Sequence, residues 1–216
     1  MIRSRHLLLL LVPLLLGGPF ATGCSVADVI EGGSGESGSG SLETETRDVG
    51  GFSEIDVGTA IALDIIVNPD ADISVVVIFD DNLLDNLITR VSGSKLILEL
   101  EGSVNMTGSA DRRVEVTMPQ LESLEASGAA NVTVIGWSNQ FVSEYIRIEA
   151  SGASKVDLRD LKVRDLDIDA SGSSNLVLIV AGVVSGSASG ASRVTVSGNP
   201  TSVLIETIGA SSIDLP

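Results

Sequence analysis

Four serines recur with a regularity that invites a chemical reading: Ser127, Ser151, Ser171 and Ser189, each followed directly by glycine. A serine hydroxyl becomes a nucleophile only when a neighbouring base takes its proton, most often an imidazole. The chain holds a single histidine, His6, and it lies in a leader-like segment at the start. Once that segment is removed, Ser-His-Asp catalysis, papain-like Cys-His catalysis and His-ligated zinc are excluded. What remains is the chemistry of oxygen ligands: carboxylate acid-base work and calcium binding.

The carboxylates have a spacing of their own. Three residues before the repeat glycines Gly128, Gly152, Gly172, Gly190 and Gly209 stand Glu125, Glu149, Asp169, Ser187 and Glu206. On stacked strands these would form one outward column at the ~4.8 Å strand spacing. Two unit charges at that distance repel by about 0.9 kcal/mol in water. Arg147, Lys155 and Arg193 are placed to offset the repulsion, and Asp165 and Asp167 widen the acidic patch. No cofactor is expected; calcium is the one ion such a column would admit, with Glu125, Glu149, Asp169 and Glu206 as its candidate ligands. The plain alternative is a solvated acidic face. Trp137 and Tyr145 are the only aromatic residues besides four phenylalanines. They flank the longest repeat step, where they would either plug an expanded coil or offer a binding surface.

Cys24 is the sole cysteine. It follows Ala21-Thr22-Gly23, a basic start (Met1 to His6) and the apolar run Leu7 to Leu16. Ten apolar residues interrupted by Pro13 are too few to span a bilayer, for which about 20 are needed, and read as a signal peptide over 1–23. Small residues before a lone Cys resemble a lipobox, which makes Cys24 the lipidation site and the membrane a partner through its lipid. Ala21 stands where leucine is commonest in that motif, and ordinary cleavage leaving a free thiol is the alternative. Ser25 after the cysteine implies sorting to the outer membrane or cell surface, with the periplasm as the alternative. Residues 24–41 are expected to form the lipidated terminus and a Gly/Ser-rich tether, flexible from Glu31 to Ser41 because that composition cannot bury apolar surface.

The elements that must position these residues follow from the repeat. The steps between the repeat glycines are 24, 20, 18 and 19 residues. A period near 20 made of strand-like fragments predicts a β-solenoid over 42–216. Hydrophobic residues make up 44% of the chain and aromatics 3%, which suits thin coils filled by Val, Ile, Leu and Ala. Alternation puts Val132, Val134, Val156, Leu158, Leu176, Leu178, Val194, Val196, Ile213 and Leu215 inward, with Ile146, Ile148, Ala150, Leu166, Ile168 and Ala170 on the preceding strands. The glycine is the corner of each coil and the serines a structural ladder beside it. One short helix is expected near residues 82–89, where Leu83, Leu84, Leu87 and Ile88 follow the capping side chains Asp80-Asp81-Asn82. The last strand, Ile213 to Leu215, leaves an edge open to self-association.

Several phrases together resemble one bacterial family: Val49-Gly50-Gly51-Phe52 with Ser53-Glu54-Ile55, Asp81-Asn82-Leu83-Leu84, Ser94-Lys95-Leu96-Ile97-Leu98, and the Ala-Ser-Gly repeats. The chain is similar over 49–216 to the auto-transporter adhesin head family, the GIN-domain family of exported proteins. The resemblance implies an all-β fold, a single-stranded right-handed parallel β-helix, and a role at the cell surface; it carries over no site residues. A net charge of −16, or −18 without the leader, repels phosphate backbones and argues against nucleic acid. The reading is a non-enzymatic exported lipoprotein that binds or has a structural role at the envelope, with another envelope protein or a polysaccharide as partner. The alternatives are a carbohydrate-active β-helix enzyme and an envelope sensor or partner subunit.

Overall fold

The computed structural model of the protein describes residues 35–106, 111–137 and 143–215. The expected signal peptide, Cys24 and the expected tether up to residue 34 lie outside the described residues. Along the chain run β1 (Glu36–Ser37), β2 (Leu42–Arg47), β3 (Glu54–Val57), β4 (Ala62–Val67) and β5 (Ser74–Asp80). A 3-10 helix (Asp81–Asn86) leads to β6 (Leu87–Ser92), β7 (Lys95–Leu100), β8 (Val104–Asn105) and β9 (Arg113–Met118). Then come β10 (Ser123–Ala126), β11 (Asn131–Gly136), β12 (Ser143–Ala150), β13 (Lys155–Ala170), β14 (Asn175–Val180), β15 (Val183–Ala188), β16 (Arg193–Gly198), β17 (Ser202–Thr207) and β18 (Ser212–Asp214). The fold is all-β.

The repeat is realised as two parallel ladders. On one side Leu124 pairs with Ile148, Ile148 with Ile168, Ile168 with Gly186 and Gly186 with Ile205. On the other, Val132 pairs with Val156, Val156 with Leu176, Leu176 with Val194 and Val194 with Ile213. β13 serves both: its first half lies in the second ladder and its second half in the first, so the sheet passes from one side to the other and is nearly closed. The inward residues expected from alternation are buried up to β16, with Val132, Leu176, Ile146 and Val194 at 0% exposure. In the last coil the expectation fails: Ile213 is only half-buried and Leu215 is exposed, because no further coil covers them among the described residues.

The corner glycines do two things at once. Gly128, Gly152, Gly172, Gly190 and Gly209 all have φ between +67° and +81°. They also stack so closely that a Cβ on Gly172 would sit 2.6 Å from the Gly152 carbonyl oxygen. That oxygen accepts a hydrogen bond from the Ser173 amide at 2.7 Å, and the same bond recurs from Ala191 to Gly172 and from Ala210 to Gly190. The column begins at Thr59, the one non-glycine with positive φ (62°) among the described residues. Thr59 and Ala60 line a cavity of about 330 Å³ together with Leu100, Gly102, Val104, Asn105 and Met106. The serines after the corner are the buried ones: Ser154, Ser174 and Ser192 are at most 1% exposed, whereas Ser127, Ser151, Ser171 and Ser189 are half-buried.

The base departs from a purely parallel solenoid. The coil of β3 and β4 lies between the coil of β10 and β11 and that of β7 and β9. The outer edges are then closed by antiparallel strands, β6 on β7, β5 on β9 and β2 on β5, so the sheet is mixed. The expected helix near 82–89 is a six-residue 3-10 turn that ends before β6. The side chains expected to cap it do other work. Asp80, fully buried, pairs with Arg112 and accepts the Gly40 amide at 2.7 Å; Asp81 accepts the Ser39 hydroxyl at 2.5 Å; Asn82 accepts the Ser39 amide at 2.8 Å. These bonds correct the tether expectation as well. From residue 35 the Gly/Ser segment is a strap on the body, with β1 parallel to β8. A Cβ at Gly38 would meet the Asp80 carboxylate at 2.6 Å, so glycine is what permits the approach.

Candidate binding surfaces on the acidic face and beside the long repeat step

The first ladder brings the predicted carboxylates together in register. Glu125 pairs with Glu149, Glu149 with Asp169, Asp169 with Ser187 and Ser187 with Glu206. Asp56 extends the column on the other side of Glu125 and was missed in the sequence. A signal for it existed, since Ile55-Asp56-Val57-Gly58-Thr59 has the pattern of Leu124-Glu125-Ala126-Ser127-Gly128 without the Ala-Ser-Gly phrase. Asp56, Glu125, Glu149 and Asp169 line one wall of an open trough of about 350 Å³, and Ser127, Ser151 and Ser171 line the other.

Charge along the column is partly compensated. Lys95 donates to Glu125, and this bond holds the Lys95 ammonium above its ordinary pKa. Arg147 donates to Glu149 at 2.8 Å and lies 3.5 Å from Asp167. Ser187 donates to Asp169 and Ser185 to Asp167, each at 3.2 Å. Of the cations expected to help, Arg147 does so, and Arg193 lies 3.6 Å from Asp214 on the other ladder. Lys95 was not foreseen, because nothing local shows that β7 stacks beneath β3. Burial, followed by the charge of Glu125, pushes the Asp56 carboxyl above its ordinary value of 3.8. Among the described residues no three His, Cys, Asp or Glu side chains converge as a metal cage. The carboxylates form a line.

Trp137 and Tyr145 do not plug the coil. They are 68% and 51% exposed, on either side of residues 138–142, which lie outside the described set. Trp137 is held through its backbone, its amide donating to the Val67 carbonyl at 3.0 Å, and Tyr145 stands opposite Asp165 in the ladder. The added residues of the long step fall between Gly136 and Ser143, since β11 pairs with β13 at an offset of 24 residues (Asn131 with Lys155) and β12 at 20 (Ser143 with Val163). Exposed rings of this kind offer an apolar face and a polar tip to a partner.

The family model described as "Putative auto-transporter adhesin, head GIN domain" matches residues 51–142 and 142–200. The chain belongs to this family. Among solved structures, a putative adhesin from Parabacteroides distasonis is 23% identical to this GIN-domain chain, with a TM-score of 0.68 over 83% of this chain and 75% of its own. A putative adhesin from Bacteroides fragilis is 16% identical, with a TM-score of 0.56 over 84% of this chain and 100% of its own. At these identities the likeness is one of fold. No curated protein matches.

Proposed function

We propose that this GIN-domain protein is a non-enzymatic exported lipoprotein, anchored through Cys24, that binds a protein or polysaccharide at the cell envelope. In this reading the solenoid is a right-handed β-helix whose flat sides are the working surfaces. The observation that carries it is the exposure of Trp137 and Tyr145 beside a ladder whose outward side chains are spent on pairing with one another. Tryptophan is enriched among the residues that anchor protein contacts, and a contact surface accounts for an indole left 68% exposed. The family description and the two solved relatives, both described as adhesins, support the same assignment. The serines of the repeat donate backbone amides to the coil below, as Ser151 does to Ala126 and Ser171 to Ala150, which suits a scaffold.

Two measurements test the proposal. Metabolic lipid labelling should mark the wild type and not Cys24→Ala, and a fully soluble, unlabelled wild type refutes the anchor. Capture from an envelope fraction should recover a partner with wild type and lose it with Trp137→Ala plus Tyr145→Ala. Equal recovery by both refutes the aromatic surface.

A further inference from the structure

The last coil is built differently from those before it. In the outward column that reads Glu54, Ser123, Arg147, Asp167 and Ser185, the last coil places Leu204. At the corner position of Ser151, Ser171 and Ser189 it places Ile208. Both are exposed, at 64% and 62%, and with Leu215 at 56% they make an apolar rim around a coil whose inward Ile205 and Ile213 are only half-buried. β17 pairs only with β15 and β18 only with β16 among the described residues, so each presents an unpaired row of amides and carbonyls.

The opposite end is edged by β2 and β6, antiparallel strands that are each paired on one side only among the described residues. β6 covers β7, β5 and β2 cover β9, and the strap lies over the 3-10 turn. Head-to-tail stacking would set the apolar rim against the charged side chains Glu43, Glu45 and Arg47 of β2 or Arg90 of β6. Charge narrows the choice of occupant further. The chain carries −16 overall, with carboxylates lining the first ladder, while Ser202 to Leu215 holds only Glu206 and Asp214, and Asp214 is paired with Arg193. The end of the solenoid is thus a place where two copies of this acidic chain can meet without strong repulsion.

We propose that a second copy of this chain covers the last coil, tail to tail about a two-fold axis. A two-fold contact sets each six-residue β17 antiparallel to an edge strand of the other copy. It brings the Leu204 and Ile208 rims together, and it closes as a dimer because a two-fold contact uses the same patch on both copies. This assembly needs neither the lipid nor the aromatic surface.

Sedimentation velocity of the purified full chain over a concentration series tests it. The expected result is a reversible monomer-dimer equilibrium between the 22.2 kDa chain and twice that mass. Replacing both exposed residues, Leu204→Lys with Ile208→Lys, should weaken the dimer at least tenfold and leave the far-ultraviolet dichroism unchanged. A monomer at every concentration overturns the proposal, and so does a dimer that the double variant leaves intact. Open-ended assembly by the wild type overturns it too.

Discussion

Gly172→Ala isolates what the corner column contributes. Gly172 has φ of +70°, and an alanine there carries a left-handed strain of about 1–2 kcal/mol. Reduced freedom of the unfolded chain returns roughly 0.4–1 kcal/mol. The larger effect is contact: the new Cβ meets the Gly152 carbonyl oxygen at 2.6 Å and its nitrogen at 3.0 Å. Neither atom can yield easily, since that oxygen is bonded to Ser173 and the coils on both sides are hydrogen-bonded through their strands. Overpacking of this kind costs about 1–3 kcal/mol. The sum is roughly 2–4 kcal/mol, or a fall in Tm of about 5–15 °C for a chain of this size. Gly93→Ala is the control, with φ of +65° and nothing within 4 Å of the added carbon, so it bears the strain alone. Gly209→Ala, with its nearest atom at 3.0 Å, should fall between them. Thermal unfolding followed by circular dichroism gives the order directly. Equal losses for Gly172→Ala and Gly93→Ala would show that coil contact adds nothing and refute the reasoning.

The other predictions concern charge and buried polarity. Arg112 holds the Asp80 carboxyl below its ordinary 3.8, so the pair's stabilisation is present above that value and is lost as pH falls beneath it. Acid below about pH 3.8 should release the strap, as should Arg112→Ala at neutral pH at a cost of about 3–5 kcal/mol, read as new proteolysis at residues 35–41. Asp56 has the opposite sign: its raised value means that stability declines as pH rises from 3.8 through the folded pKa, so Asp56→Asn should raise Tm at pH 7 and have little effect at pH 3. The hydroxyls of Ser154 and Ser174 are buried with no hydrogen-bond partner, and Ser154→Ala should be neutral or stabilising by up to about 1 kcal/mol in a denaturant melt. A line of partly paired carboxylates screens ions more than it cages them, so calcium and sodium at equal ionic strength should raise Tm equally; a shift specific to calcium would identify an ion site.

The parallel ladders of the C-terminal part were legible because their signal is local. A strand, a glycine corner and a second strand return at near-constant spacing, and that spacing is the ladder register. The acidic column followed from the same arithmetic. What stayed hidden depends on long-range choices. Ile55 sits beside Leu96 and Leu124, residues from two later segments, and nothing in Glu54 to Val57 announces either neighbour. Thr59 concealed a corner because a threonine there, with φ of +62°, does not carry the glycine signature of the other corners. The strap was read from composition, and Gly/Ser content alone does not show that Asp80 and Arg112 wait in a groove only glycine can approach. The scarcity of aromatics suggests burial for Trp137 and Tyr145, yet the added residues of the long step fall between Gly136 and Ser143 and both rings are exposed.

The order of the coils carries one more consequence. In the base, Ile55 must find Leu124, 69 residues away, and the segment between them must fold back beneath before that surface is complete. From β10 onward each coil rests on the coil just before it, at separations of 24, 20, 18 and 19 residues. The contacts of the base are therefore long-range and slow to close, whereas each later turn needs only contacts about 20 residues apart. A chain interrupted after any of these turns would keep a folded stump with a fresh edge, and evolution could lengthen or shorten the stack without disturbing the part that starts it.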